Sequence, residues 1–102
     1  RKIDTFSIGY NEYKNYCELP YAKITSNHIN SNHHEIIIDK KNYIDSFYNT
    51  LEFFDEPHGD SAAIPLNFLL KNVKDFGVNS LLSGEGADEL FFGYDKYAKF
   101  LK

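Results

Sequence analysis

Apolar positions in this chain fall into short β-branched runs, with stretches of helical spacing between them. Residues 3–9 (Ile-Asp-Thr-Phe-Ser-Ile-Gly) are β-branched and aromatic, end on Gly9, and predict a strand. Residues 11–16 show no period and predict a loop. A modest helix is expected over 19–29, with Pro20 in its first turn and Ala22, Thr25 and Ile29 along one side. Asn30-Ser31-Asn32 is a turn. Residues 34–38 (His-Glu-Ile-Ile-Ile) predict a second strand, and the isoleucine run implies burial on both faces. Asp39 is placed to cap a helix over 40–54, where Ile44, Phe47, Leu51 and Phe54 recur at helical spacing. Residues 55–61 break it. A further helix over 62–76 carries Leu66, Leu69, Leu70 and Val73 at i, i+3, i+4 and i+7, and Gly77 stands where a helix C′ residue belongs. Residues 78–83 predict a third strand, followed by a glycine-bearing loop and a final helix. The order β-α-β-α-α-β-α implies a layered α/β fold with a parallel sheet.

Composition narrows the class. At 102 residues the chain is one domain at most, and 42 % hydrophobic with 17 % aromatic residues is enough for a packed core. Acids and bases are interleaved to a formal charge of −4, which leaves no basic footprint for nucleic acid. No apolar run approaches bilayer-spanning length and no signal-peptide pattern is present, so a membrane partner is not expected. The single cysteine, Cys17, excludes an internal disulfide and a cysteine-cluster metal site. A soluble protein of the reducing cytoplasm is the expectation. The chain opens at Arg1 directly onto a strand-like segment and ends at Lys102 within a helical stretch, so we expect an incomplete fragment of a longer protein.

The densest chemistry lies at Ser83-Gly84-Glu85-Gly86-Ala87-Asp88-Glu89. Two glycines let the backbone turn sharply and approach a ligand, and the loop offers one hydroxyl and three carboxylates. Loops at the carboxyl ends of strands are where open α/β sheets bind ligands. Asp88 suits magnesium, which takes one or two carboxylates and completes its shell with water and phosphate oxygens. Ser83 and nearby backbone N–H groups suit a phosphate or an adenine edge. Glu85, between two glycines, suits general acid or base work. The plainer reading is a solvated acidic turn in which Asp88 or Glu89 favours a helix N-terminus.

Other candidates favour structural readings. Asp55-Glu56-Pro57-His58-Gly59-Asp60-Ser61 joins two helices; it could present a ligand site, but a cap by Asp60 or Ser61 accounts for it. His33 and His34 are neighbours on a strand and point to opposite faces, so they do not easily share one ion. Cys17 has no basic neighbour and reads as an inert thiol. Aromatic residues at 91, 92, 94, 97 and 100 read as helix packing.

The run Ser83-Gly84-Glu85-Gly86-Ala87-Asp88-Glu89-Leu90-Phe91, with Gly93-Tyr94 following, resembles the signature of the synthetase domain of glutamine-hydrolysing asparagine synthetases. The resemblance extends to Phe6-Ser7-Ile8-Gly9-Tyr10, Tyr21-Ala22, His33-His34-Glu35, and the stretch from Asp55-Glu56-Pro57 to Ile64-Pro65, all in order. It implies an ATP pyrophosphatase-type (adenine nucleotide alpha hydrolase-like) fold. It also implies a reaction in which ATP adenylates the side-chain carboxylate of aspartate, pyrophosphate leaves, and ammonia derived from glutamine attacks aspartyl-AMP. By this resemblance Ile8 offers its backbone to adenine, Ser83 and Gly84 line the AMP site together with Glu85, Asp88 holds magnesium, and Glu85 is the acid/base group during ammonia attack. In the related β-lactam synthetases a tyrosine corresponds to Glu85, so glutamate favours intermolecular amide formation over ring closure.

Three parts of the family's pattern are missing from these residues: the Ser-Gly-Gly-x-Asp-Ser phosphate loop, the amino-terminal glutaminase, and a downstream lysine that stabilises developing charge. The expectation is a piece that is inactive alone and has a gap mid-sheet. Poor independent stability should follow, or association through exposed edges, a homo-oligomer included. Two alternatives stand beside this reading: an amidotransferase acting on another carboxylate acceptor, and a non-catalytic interaction module.

Overall fold

The computed structural model of the chain describes residues 2–56 and 59–100. Its centre is a parallel pair of strands, β1 (Asp4–Tyr10) and β2 (Asn32–Ile38), in register from Asp4 opposite Asn32 to Tyr10 opposite Ile38. Helix α1 (Leu19–His28) makes the crossover between them, preceded by one 3-10 turn at Lys14–Tyr16. After β2 come α2 (Lys40–Phe53), α3 (Ala63–Lys74) and two short helices, α4 (Ala87–Phe91) and α5 (Asp95–Phe100). The architecture is α/β, as expected.

Strand alternation decides what each face of the pair meets. On one face Phe6 stacks on His34 with ring centroids 4.9 Å apart, and Phe76, just beyond α3, closes edge-on against Phe6 at 5.4 Å. On the other face a β-carbon at Gly9 would overlap the Leu19 side chain of α1 and come within 3.1 Å of Cys17 Sγ. Gly9 is therefore the close-approach point that seats the start of α1 on β1. Thr5 on this face bonds Ser31 Oγ at 2.8 Å and His33 Nδ1 at 3.0 Å. His34, pointing the other way, pairs through Nε2 with Asp4 Oδ1 at 3.0 Å. The two histidines thus serve opposite faces as strand-anchoring groups.

Local signals explain most boundaries. Asp39 Oδ1 accepts the Asn42 N–H at 2.7 Å, capping α2. Asp60 Oδ1 accepts the Ala62 N–H at 2.9 Å, a turn that leads into α3. Pro57 and His58, between them, lie outside the described residues. Gly77 has a left-handed φ of 72° and its N–H returns to Lys74 O at 2.9 Å; it stands one residue later than the C′ position expected of it.

Several expectations require correction. Residues 78–83 are not a strand: β1 and β2 pair with each other, and no described strand lies beside this segment to accept its backbone bonds. Leu82 is 103 % exposed, so the apolar run is uncovered. The final helix is two short ones, because Phe92 takes a left-handed φ of 57° and interrupts it. The apolar stripe of α2 faces outward: Ile44, Phe47, Leu51 and Phe54 are exposed, while Ser46 and Thr50 are buried. The small residues allow α2 and α3 to approach, and Asn67 Nδ2 donates to Thr50 Oγ1 across the gap at 3.0 Å. Phe91, Phe92 and Phe100 are exposed as well; among the described residues Tyr97 packs edge-on to Phe92 and to Tyr94, each at 5.5 Å.

The result is an open body. Among the described residues only Ile38 and Val73 are fully buried apolar side chains. The accessible surface is 8756 Å², against about 5,900 Å² expected for a folded monomer of this mass. The radius of gyration is 15.2 Å, against about 13 Å for a compact chain of this length. No described helix is long and apolar enough to cross a membrane.

Candidate active-site loop

The loop between α3 and α4 is shaped by its glycines and by the first turn of α4. Gly86 adopts a left-handed φ of 86° and is the N-cap of α4; any other residue would be strained there. This reversal sends the chain from Glu85 into α4 and places Asp88 and Glu89 in its first turn. Negative charge there is favoured by the aligned backbone dipoles. The Ala87 N–H closes the turn onto Gly84 O at 3.2 Å.

Within this frame the Ser83 hydroxyl donates to Glu85 Oε1 at 3.2 Å, bringing together two of the residues read from the sequence. Ser83, Gly84, Glu85 and Asp88 are all exposed and accessible to a ligand. Asp88 lies against Gly93, whose N–H donates to Asp88 O at 3.0 Å. Glu89 accepts the Tyr94 hydroxyl at 2.7 Å. That hydrogen bond pushes the Tyr94 phenol up to about 12 and holds the Glu89 carboxyl below its usual range. Ile8 lies mid-strand in β1, opposite Ile36, and shares no hydrogen bond with the loop among the described residues. The loop residues are therefore gathered, and Ile8 is held separately on the sheet.

Asp88 supplies one hard oxygen ligand, which fits magnesium in kind. No group of three or more His, Cys, Asp or Glu side chains among the described residues could hold an ion alone. A lone exposed carboxylate of this kind would suit only a cation that brings phosphate oxygens and water with it.

A second feature lies away from the loop and was not expected from the sequence. A cavity of about 540 Å³ opens at the carboxyl ends of β1 and β2, lined by Tyr10, Tyr13, Tyr16, Ile38 and Tyr43 among others. Burial raises the Tyr10 phenol, with further contributions from Tyr43, Cys17 and Glu18. The spacing of Tyr10, Tyr13 and Tyr16, from the end of the first strand onward, was the available signal. None of the residues 83–89 lines this cavity.

The asparagine synthase family profile matches residues 1–102. The chain belongs to that family. It is 39 % identical over 95 residues to asparagine synthetase [glutamine-hydrolyzing] 1 of Bacillus subtilis, covering 93 % of this chain and 15 % of that protein. It is 36 % identical over 93 residues to a putative asparagine synthetase [glutamine-hydrolyzing] 2 of Methanocaldococcus jannaschii, covering 91 % of this chain and 18 % of that one. A putative asparagine synthetase of Mycobacterium tuberculosis is 31 % identical over 96 residues, 94 % of this chain and 14 % of the relative. The chain thus spans less than a fifth of the length of each of these relatives. No solved structure matches it.

Proposed function

We propose that this chain is part of the synthetase domain of an ATP-dependent amide ligase that makes asparagine from aspartate. The observation that supports this most is the loop itself. A serine hydroxyl sits on a glutamate between two glycines, and an aspartate follows in the first turn of the next helix, all open to solvent. The asparagine synthetase names of its relatives agree with it.

In this reading an aspartate side-chain carboxylate oxygen attacks the α-phosphorus of ATP, and the bond to the departing pyrophosphate breaks. Ser83 and the Gly84 backbone hold the resulting AMP moiety, and Ile8 offers backbone groups to adenine from the sheet. Ammonia then attacks the acyl carbon, the C–O bond to AMP breaks, and Glu85 takes the proton released from nitrogen. Asp88 would ligate magnesium, which when bound offsets phosphate charge as pyrophosphate leaves. The fold is proposed to be of ATP pyrophosphatase type. Glutamine is the proposed nitrogen source, hydrolysed in another part of the same polypeptide, and the cytoplasm is the proposed compartment.

Glu85→Gln in the full-length polypeptide tests this assignment. Aspartate-dependent exchange of pyrophosphate into ATP should persist, while asparagine formation falls by about two orders of magnitude or more. Loss of exchange and amide formation in equal measure would contradict the role given to Glu85.

A further inference from the structure

Asp88 is held by a corner of backbone that immediately follows α4. Phe92 turns left-handed, and the Gly93 N–H returns to Asp88 O at 3.0 Å. This brings Gly93 so close to the Asp88 side chain that a β-carbon on Gly93 would overlap Asp88 Oδ1 and lie 3.2 Å from its Cγ. The nearest backbone atom, Asp88 Cα, would be 3.4 Å away, an ordinary contact. Gly93, unlike Gly77 and Gly86, does not lie at positive φ. A β-carbon at 93 would meet neither strained φ nor backbone, only the outer end of one side chain. That end is a carboxylate. The Tyr94 hydroxyl, at 2.7 Å from Glu89 Oε1, ties the residue after the corner back onto α4.

We propose that Gly93 is a positioning residue for the Asp88 carboxylate, with the Tyr94–Glu89 bond holding the corner closed. The inference rests on the reading of Asp88 as a ligand of nucleotide-bound magnesium. The absence of a side chain at 93 lets that carboxylate lie along the corner, and any β-carbon there displaces the oxygen from its place. Partners that orient a ligating group from outside typically change metal affinity by about 10–100-fold when removed.

The test is a double-mutant cycle in the full-length polypeptide, using Asp88→Ala, Gly93→Ala and the double variant. Manganese binding in the presence of a non-hydrolysable ATP analogue, followed by electron paramagnetic resonance, reads the site directly. Melting temperature reads the fold. Gly93→Ala should weaken manganese binding about tenfold, and the double variant should bind no more weakly than Asp88→Ala alone. If Gly93→Ala lowers the melting temperature, deleting the carboxylate in the double variant should restore it to that of Asp88→Ala, because the overlap is gone. Tyr94→Phe should weaken manganese binding to a smaller extent while the protein stays folded. Wild-type manganese binding in Gly93→Ala, alongside weakened binding in Asp88→Ala, would overturn the positioning role and leave the metal reading standing. Losses that add in the double variant, or a melting temperature that is not restored, would also overturn it. Unchanged binding in Asp88→Ala would overturn the metal reading itself and the inference with it.

Discussion

The Tyr94 hydroxyl donates to Glu89 Oε1 at 2.7 Å, five residues back, closing the corner that ends α4. The bond requires a protonated phenol and favours an ionised carboxylate. It raises the phenol from 10.0 to about 12 and lowers the carboxyl from 4.5. The two signs set a window. The carboxylate's contribution is present above its unfolded value and is lost as pH falls through its lowered folded value; the phenol's is present below 10.0 and is lost as pH rises through about 12. The corner should therefore be closed across the neutral range and open at both extremes. Ultraviolet difference titration should show one tyrosine ionising near 12 in the wild type, and that component should move toward 10 in Glu89→Gln. A titration unchanged by the substitution would contradict the pairing.

Asp39→Ala removes the cap of α2. The Asn42 N–H loses its 2.7 Å partner, and such losses cost about 1 kcal/mol. Faster hydrogen exchange should appear in the first turn of α2 and not in α3. Uniform acceleration across both helices would contradict a local cap.

Thr50, itself buried, makes two hydrogen bonds, donating to Ser46 O at 2.7 Å and accepting from the half-buried Asn67 Nδ2 at 3.0 Å. Thr50→Val keeps the shape and strands the Asn67 amide between the helices, at about 1–3 kcal/mol. Exchange should quicken along the α2–α3 contact. Thr50→Ser keeps the hydroxyl and should restore most of the protection.

Much of this molecule was legible in its sequence, and the lapses share a cause. Both paired strands, the Asp39 cap and the loop with its left-handed Gly86 follow from signals within a few residues of where they act. Misread features depend on partners. Residues 78–83 have a strand's composition, but a strand is completed by a neighbour, and no described strand lies beside them. Ile44, Phe47 and Leu51 have a core helix's spacing, yet periodicity names an apolar face without saying what covers it. The tyrosine-lined cavity was missed because Tyr43 joins Tyr10, Tyr13 and Tyr16 only once β1 and β2 are in register. Asp88 was legible as a candidate ligand; its dependence on Gly93 is a matter of geometry that spacing does not display.

The uncovered apolar surface has a direct consequence. With only Ile38 and Val73 fully buried among the described residues, and Leu82, Phe53, Phe91 and Phe100 exposed, the 102-residue chain on its own should bind a hydrophobic dye and self-associate. Sedimentation across a concentration series would show it. A monomer with a cooperative, concentration-independent melt would contradict this.

We propose that the full-length polypeptide activates a carboxylate by adenylation. Incubation with ATP, magnesium, aspartate and ammonia, with all adenine products quantified, is the decisive experiment. The expected result is AMP and pyrophosphate in aspartate-dependent, equal amounts, with asparagine formed alongside. Aspartate-dependent ADP and phosphate would contradict adenylation, and no turnover with aspartate would contradict asparagine as the product.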